Sequence, residues 1–100
     1  MPSAARTTDS TTNHSPCGPG KCSSGSSNVI INGLQAFRVN DLSTPHGKPV
    51  PRRGCVPHVT QLAQGSPNVI VNGVPLGRVG DGFTCGIRVA SGSGNVIVNG

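Results

Sequence analysis

Acidic residues are nearly missing from this sequence. Three aspartates stand against eight lysines and arginines, for a formal net charge of +5. Paired general acid/base catalysis, which needs two carboxylates in one cleft, has little to draw on. Aromatic residues are as scarce: there is no tryptophan or tyrosine, only Phe37 and Phe83. The basic residues are scattered, with only Arg52 and Arg53 adjacent, and nothing aromatic interleaves them to stack on bases. Specific nucleic-acid binding is therefore not expected. No apolar run exceeds three residues, which excludes a membrane-spanning helix. The opening "MPSAARTTDSTTNH" lacks the apolar segment of a secretory signal, so no signal peptide is expected and export would need another route.

Glycine and proline, at 15 and 9 residues, punctuate the chain too often for long regular elements. One hundred residues of this composition make one small domain with a thin core. Such a domain commonly needs a disulfide, a metal or a neighbouring subunit as a staple.

What the chain does contain is a repeated phrase. Residues 28–41 read "NVIINGLQAFRVND", residues 68–81 read "NVIVNGVPLGRVGD", and residues 95–100 read "NVIVNG". A short β-branched run closed by Asn-Gly predicts a tight hairpin, with the segment before Arg-x-x-Asp as the returning strand. The third copy lacks its second half, and "PSAARTTD" at residues 2–9 has the missing shape. Arg6 and Asp9 stand three apart, as do Arg38 and Asp41, and Arg78 and Asp81. The third unit is therefore expected to be split between 93–100 and 2–9, with Met1 and Gly100 close in space. All three acids of the chain fall in these Arg-x-x-Asp units. Three equivalent units imply pseudo-threefold symmetry, which suits the end of a homotrimer, whereas a twofold partner would not match it. The plain alternative is a three-unit all-β fold without such a partner.

Each Asp is followed by a loop, at 10–27, 42–67 and 82–94. His14 and His46 lie five residues after Asp9 and Asp41, and Cys85 lies four after Asp81. Pseudo-symmetry would bring these side chains towards one axis, and the longest loop adds His58. His14, His46, His58 and Cys85 would form a closed tetrahedral site suited to one structural zinc, with no open position for catalysis. Binding energy there would act as folding energy. Cys17 and Cys22, in "CGPGKC", are near enough for a local disulfide in an oxidising compartment. Cys55, in "CVPH", competes as a ligand, and the sequence leaves that choice open. Two rival classes stand beside the structural reading: a small zinc-dependent module binding nucleic acid or protein, and a cysteine or zinc hydrolase.

The repeated phrase, the opening Pro2-Ser3-Ala4-Ala5-Arg6 and the His/Cys loops together resemble the PAAR-repeat proteins over essentially the whole chain. The departures, a Ser within the opening phrase and "RTTD" for "RVGD", touch turn tightness more than architecture. The resemblance implies a single domain over 1–100: an all-β, cone-shaped, pseudo-threefold set of short hairpins with irregular loops, stapled by metal at its apex. It implies a monomer seated on the homotrimeric β-helical spike of a contractile injection machine, in a bacteriophage tail or a type VI secretion system. It also implies zinc ligation by three His and one Cys, here matching His14, His46, His58 and Cys85, with only transient contact with the target envelope. Asn28, Val29, Ile30, Asn68, Val69, Ile70, Asn95, Val96 and Ile97 are the expected spike-docking base, where strand edges would continue those of the spike.

Overall fold

The computed structural model describes residues 2–98, and among them it holds no helix. Its strands form antiparallel pairs: β1 (Ser10–Asn13) with β2 (Pro19–Lys21), β3 (Ile30–Ile31) with β4 (Leu34–Gln35), β5 (His46–Val50) with β6 (Gly54–His58), and β7 (Ile70–Val71) with β8 (Val74–Pro75). β3–β4 and β7–β8 turn at the Asn-Gly pairs. Asn32 and Gly33 have φ of 53° and 79°, and Asn72 and Gly73 of 53° and 82°. Two successive positive φ angles make a type I′ turn, whose twist matches the strands it joins. The third Asn-Gly, and with it the expected closeness of Met1 and Gly100, lies outside the described residues.

The returning strands are shorter than the sequence pattern implies, because the chain leaves each hairpin to bridge its neighbours. Arg6 bridges Ala36, Arg38 bridges Leu76, and Arg78 bridges Ala4. Within that triangle three backbone bonds close a ring: Ala5 N donates to Gly77 O at 2.9 Å, Gly77 N to Phe37 O at 2.8 Å, and Phe37 N to Ala5 O at 3.1 Å. Three strands meeting at one axis leave room for one large side chain. Phe37 takes it, fully buried, beside Ala5 and a glycine. A Cβ on Gly77 would lie 2.7 Å from Leu62 Cδ2 and 3.0 Å from Phe37 O.

The bonds around this ring repeat. Ala36 N donates to Val29 O at 3.0 Å, Leu76 N to Val69 O at 2.9 Å, and Ala4 N to Val96 O at 3.0 Å. Ser3 also bridges Ile97. Residues 2–4 thus pair with 96–98 much as the second half of each continuous hairpin pairs with its first. Ile31, Val71 and Val98 turn inward onto Ala4, Ala36 and Leu76 as one core cluster. Cys22, Leu62 and Val89 share a second, around Phe37 and Phe83. Their N–H groups donate to Asp9, Asp41 and Asp81 carbonyls in turn, so Cys22 is a core residue of the repeat. Burial, and then the charges of Asp9 and Asp41, push its thiol up to about 12.

Each Arg-x-x-Asp is a clamp on a tight turn. The Arg backbone N–H and Nε–H both donate to Asp Oδ2, and Nη2–H donates to Oδ1, at 2.8–3.1 Å in all three copies. This two-pronged geometry is the strong form of the Arg–carboxylate pair. It lets three carboxylates lie buried, and every side-chain polar atom buried among the described residues has a partner. The third residue of each turn has positive φ: Thr8 at 72°, Asn40 at 76° and Gly80 at 95°. A β-branched residue is poorly suited to that region.

Two outcomes follow for thermal or urea unfolding. Gly77→Ala should destabilise the fold by about 1–3 kcal/mol through overpacking at the axis. Thr8→Gly should stabilise it by about 1 kcal/mol, by relieving the left-handed backbone. Unchanged midpoints in both would contradict the axial packing and the strain at Thr8.

Candidate metal centre and threefold base

The loops after the three aspartates diverge in length but return to one place. His14 follows the end of β1, His46 opens β5, His58 closes β6, and Cys85 sits in the tight turn at 83–86. The hairpin register sets His46 directly opposite His58. The four side chains come together, each offering one ligand atom, all within 4.8 Å of one another. His14 Nε2 lies 3.2 Å from His58 Nε2, and Cys85 Sγ lies 3.6 Å from His46 Nε2. Tetrahedral zinc with ordinary Zn–N and Zn–S bonds spaces its ligand atoms by about 3.3–3.6 Å, so the donor set fits such an ion.

The surroundings favour the ligating forms. His46 Nδ1 lies 3.1 Å from the Thr44 carbonyl and 3.3 Å from Ser43 Oγ. An Nδ1–H donating to that carbonyl leaves the Nε2 lone pair facing the cluster. Thr60 Oγ1, 3.2 Å from Cys85 Sγ, is placed to donate to a thiolate. Gly20 clears the space for His46, since a Cβ there would lie 3.1 Å from His46 Cβ. His14 is held below its ordinary value by burial, then by the charges of His46 and Lys48. His58 is lowered likewise by burial, then by His46, His14 and Lys48. Both imidazoles therefore favour the neutral state that binds metal.

Residues 56–100 match the PAAR motif family. The hairpin and the Arg–Asp clamp of that segment recur outside it, at residues 30–41 and 6–9. That recurrence and the match over 56–100 support reading the chain as a PAAR-repeat protein. No curated protein is significantly similar to it. The PAAR motif is found in structural spike-tip proteins of contractile injection and type VI secretion systems, which associate with a spike.

The repeated hairpins themselves form a base of equivalent side chains. Ile30, Ile70 and Ile97 point outward, 55%, 55% and 49% exposed. Val29 and Val69 instead pack partly against the inner cluster, while Val96 is 37% exposed. Asn28 and Asn95 are tied to neighbouring units: Asn72 Nδ2 donates to Asn28 Oδ1, and Asn32 Nδ2 to Asn95 Oδ1, both at 2.8 Å. Asn68 N–H donates to Ser66 Oγ at 3.1 Å.

Reading the sequence missed one element of this base. Ser26, Ser66 and Ser93 are completely or almost completely buried, and each hydroxyl accepts the N–H of the residue three ahead, at 2.9–3.0 Å. Ser26 also donates to Asn72 Oδ1 and Ser93 to Asn32 Oδ1, linking adjacent units. The signal was present as Gly-Ser-x-Asn before every copy of the phrase. The glycine is demanded by close approach: a Cβ on Gly25 or Gly92 would lie 2.7 Å from the Ala36 or Ala4 carbonyl oxygen.

The cysteines depart from both readings left open by the sequence. Cys17 is bonded to Cys55, with Cα atoms 5.8 Å apart, so neither a Cys17–Cys22 bridge nor ligation by Cys55 occurs. Proximity in sequence misled because Cys22 is drawn into the core as the counterpart of Leu62 and Val89, while the turn carrying Cys17 lies against β6. Gly47 makes the room, since a Cβ there would meet Cys55 Cβ at 2.9 Å and Cys17 Cβ at 3.0 Å.

The depressed values of His14 and His58 fix a pH dependence for chelator-treated protein. The unfolded imidazoles, near their ordinary value of about 6.5, take protons before the folded ones do. Stability should therefore be full above about pH 6.5 and fall as pH drops from there through the folded values. Urea midpoints at successive pH values should show this slope, and His14→Gln/His58→Gln should flatten it. A slope unaltered by the double substitution would assign it to other groups.

Proposed function

We propose that this protein is the metal-stapled tip that caps and sharpens the trimeric β-helical spike of a contractile injection machine. The machine is a bacteriophage tail or a type VI secretion system, and the tip serves to puncture a cell envelope. The observation that carries this reading is the base, where Ile30, Ile70 and Ile97 stand half exposed at equivalent positions around a closed ring. A threefold partner matches such a surface and covers the three isoleucines at once. Short edge strands, an aggregation hazard when free, would there add to strands of the spike. Asn28, Val29, Asn68, Val69, Asn95 and Val96 complete the docking face.

His14, His46, His58 and Cys85 would hold one zinc per chain. Four protein ligands leave it no open position, which suits a structural role. The ion would tie three loops whose own core is thin, and keep the point rigid while sheath contraction supplies the force. The chain acts as one domain in three units, the third split between 93–100 and 2–9, a reading supported by the pairing of Ser3 with Ile97.

Two measurements test the reading separately. Elemental analysis with native mass spectrometry should find one zinc per chain, lost or weakened in His58→Ala together with thermal stability. Freshly purified, folded protein without metal would sink the four-ligand site. Ile30→Asp/Ile70→Asp should abolish co-purification with the spike protein while leaving metal content unchanged; retained binding would refute the docking face.

A further inference from the structure

The three ion pairs join Arg6, Arg38 and Arg78 to the only aspartates of the chain. Lys21, Lys48, Arg52, Arg53 and Arg88 carry the positive charge that remains. Lys48, Arg52 and Arg53 lie on the hairpin β5–β6, which starts at the His46–His58 pair and runs out to the turn after Val50. All three are exposed. Four residues of strand carry that turn about 13 Å past the histidines.

The turn is built at a conformational cost. Arg53 N donates to Val50 O at 3.0 Å across Pro51 and Arg52, and Arg52 has φ of 66°. A proline followed by a positive-φ residue is a type II turn, whose second central position favours glycine. An arginine held there is strained, and such strain commonly marks a functional position. The hairpin is also stiffened, by the Cys17–Cys55 bridge on β6 and by Pro49, Pro51 and Pro57. On the face shared with the His46–His58 pair, Lys48 stands opposite Val56.

We propose that this hairpin tip is a contact site for an anionic lipid bilayer, its cations meeting lipid phosphates. Nucleic acid suits the surface less well, because both phenylalanines, Phe37 and Phe83, are buried and the sequence has no tryptophan or tyrosine to stack on bases. The inference rests on the proposed function in taking the metal end as the leading end.

The test is co-sedimentation of the full, zinc-loaded chain with vesicles of phosphatidylglycerol and phosphatidylcholine at low and high salt. A basic residue at such a surface strengthens binding about fivefold. Arg52→Gly should raise or preserve thermal stability yet weaken binding about fivefold, and Arg52→Gly/Arg53→Gln about 25-fold. Lys21→Gln/Arg88→Gln, with the same net charge as that double variant, should lose less than fivefold. Three results would each overturn the proposal: no binding at low salt, equal loss in the two double variants, or tighter binding to duplex DNA with the same residue dependence. None of them touches spike docking, which Ile30→Asp/Ile70→Asp reads independently.

Discussion

Three backbone hydrogen bonds, from Ala5 to Gly77, Gly77 to Phe37 and Phe37 to Ala5, are the constraint on which the rest of this molecule depends. A closed ring of three strands brings three side-chain positions to one axis, and a dense interior has no room for three large ones. Phe, Ala and Gly divide that space unequally, so the symmetry is only approximate where packing is tightest. The Arg–Asp clamps sit immediately after these positions in each unit. They stop the chain, turn it, and release it into a loop.

From each clamp onwards the three units stop resembling one another. β1–β2, the long β5–β6 hairpin and the tight turn at 83–86 share little but their starting point. That shared start is what gathers His14, His46 and Cys85, while the length of β5–β6 returns His58 to the same place. Symmetric anchoring with asymmetric loops is an economical way to build a four-ligand cluster in a small chain. It converts a thin core into a structure that a metal and a disulfide can hold.

The chemistry of the two ends is correspondingly different. All the carboxylate charge is consumed by the clamps. The base is left with isoleucines and a web of serine and asparagine bonds, while much of the surplus positive charge rides on β5–β6. An apolar threefold face suits permanent attachment, and a stiff cationic hairpin suits a brief encounter. The proposed roles of tip and contact site assign one task to each end.

Local chemistry was enough to reveal much of this from the sequence. Asn-Gly turns, the β-branched runs before them and the constant Arg-x-x-Asp spacing are short-range signals, and they carried the two continuous hairpins; that each aspartate pairs with the arginine three residues before it emerged only from the structure. Repeat offsets also nominated His14, His46 and Cys85, because equivalent positions in a ring point to one axis. Residues 28–31 and 68–71 did not reveal which valines turn inward, nor that serines 26, 66 and 93 bind across units. The partner of Cys17 was equally hidden. Those features depend on which loop lies against which, and loop packing is set by the ring as a whole. Cys22 shows the difference most plainly: five residues from Cys17 in the chain, it is claimed by the core because the ring needs an apolar side chain where Leu62 and Val89 stand in the other units.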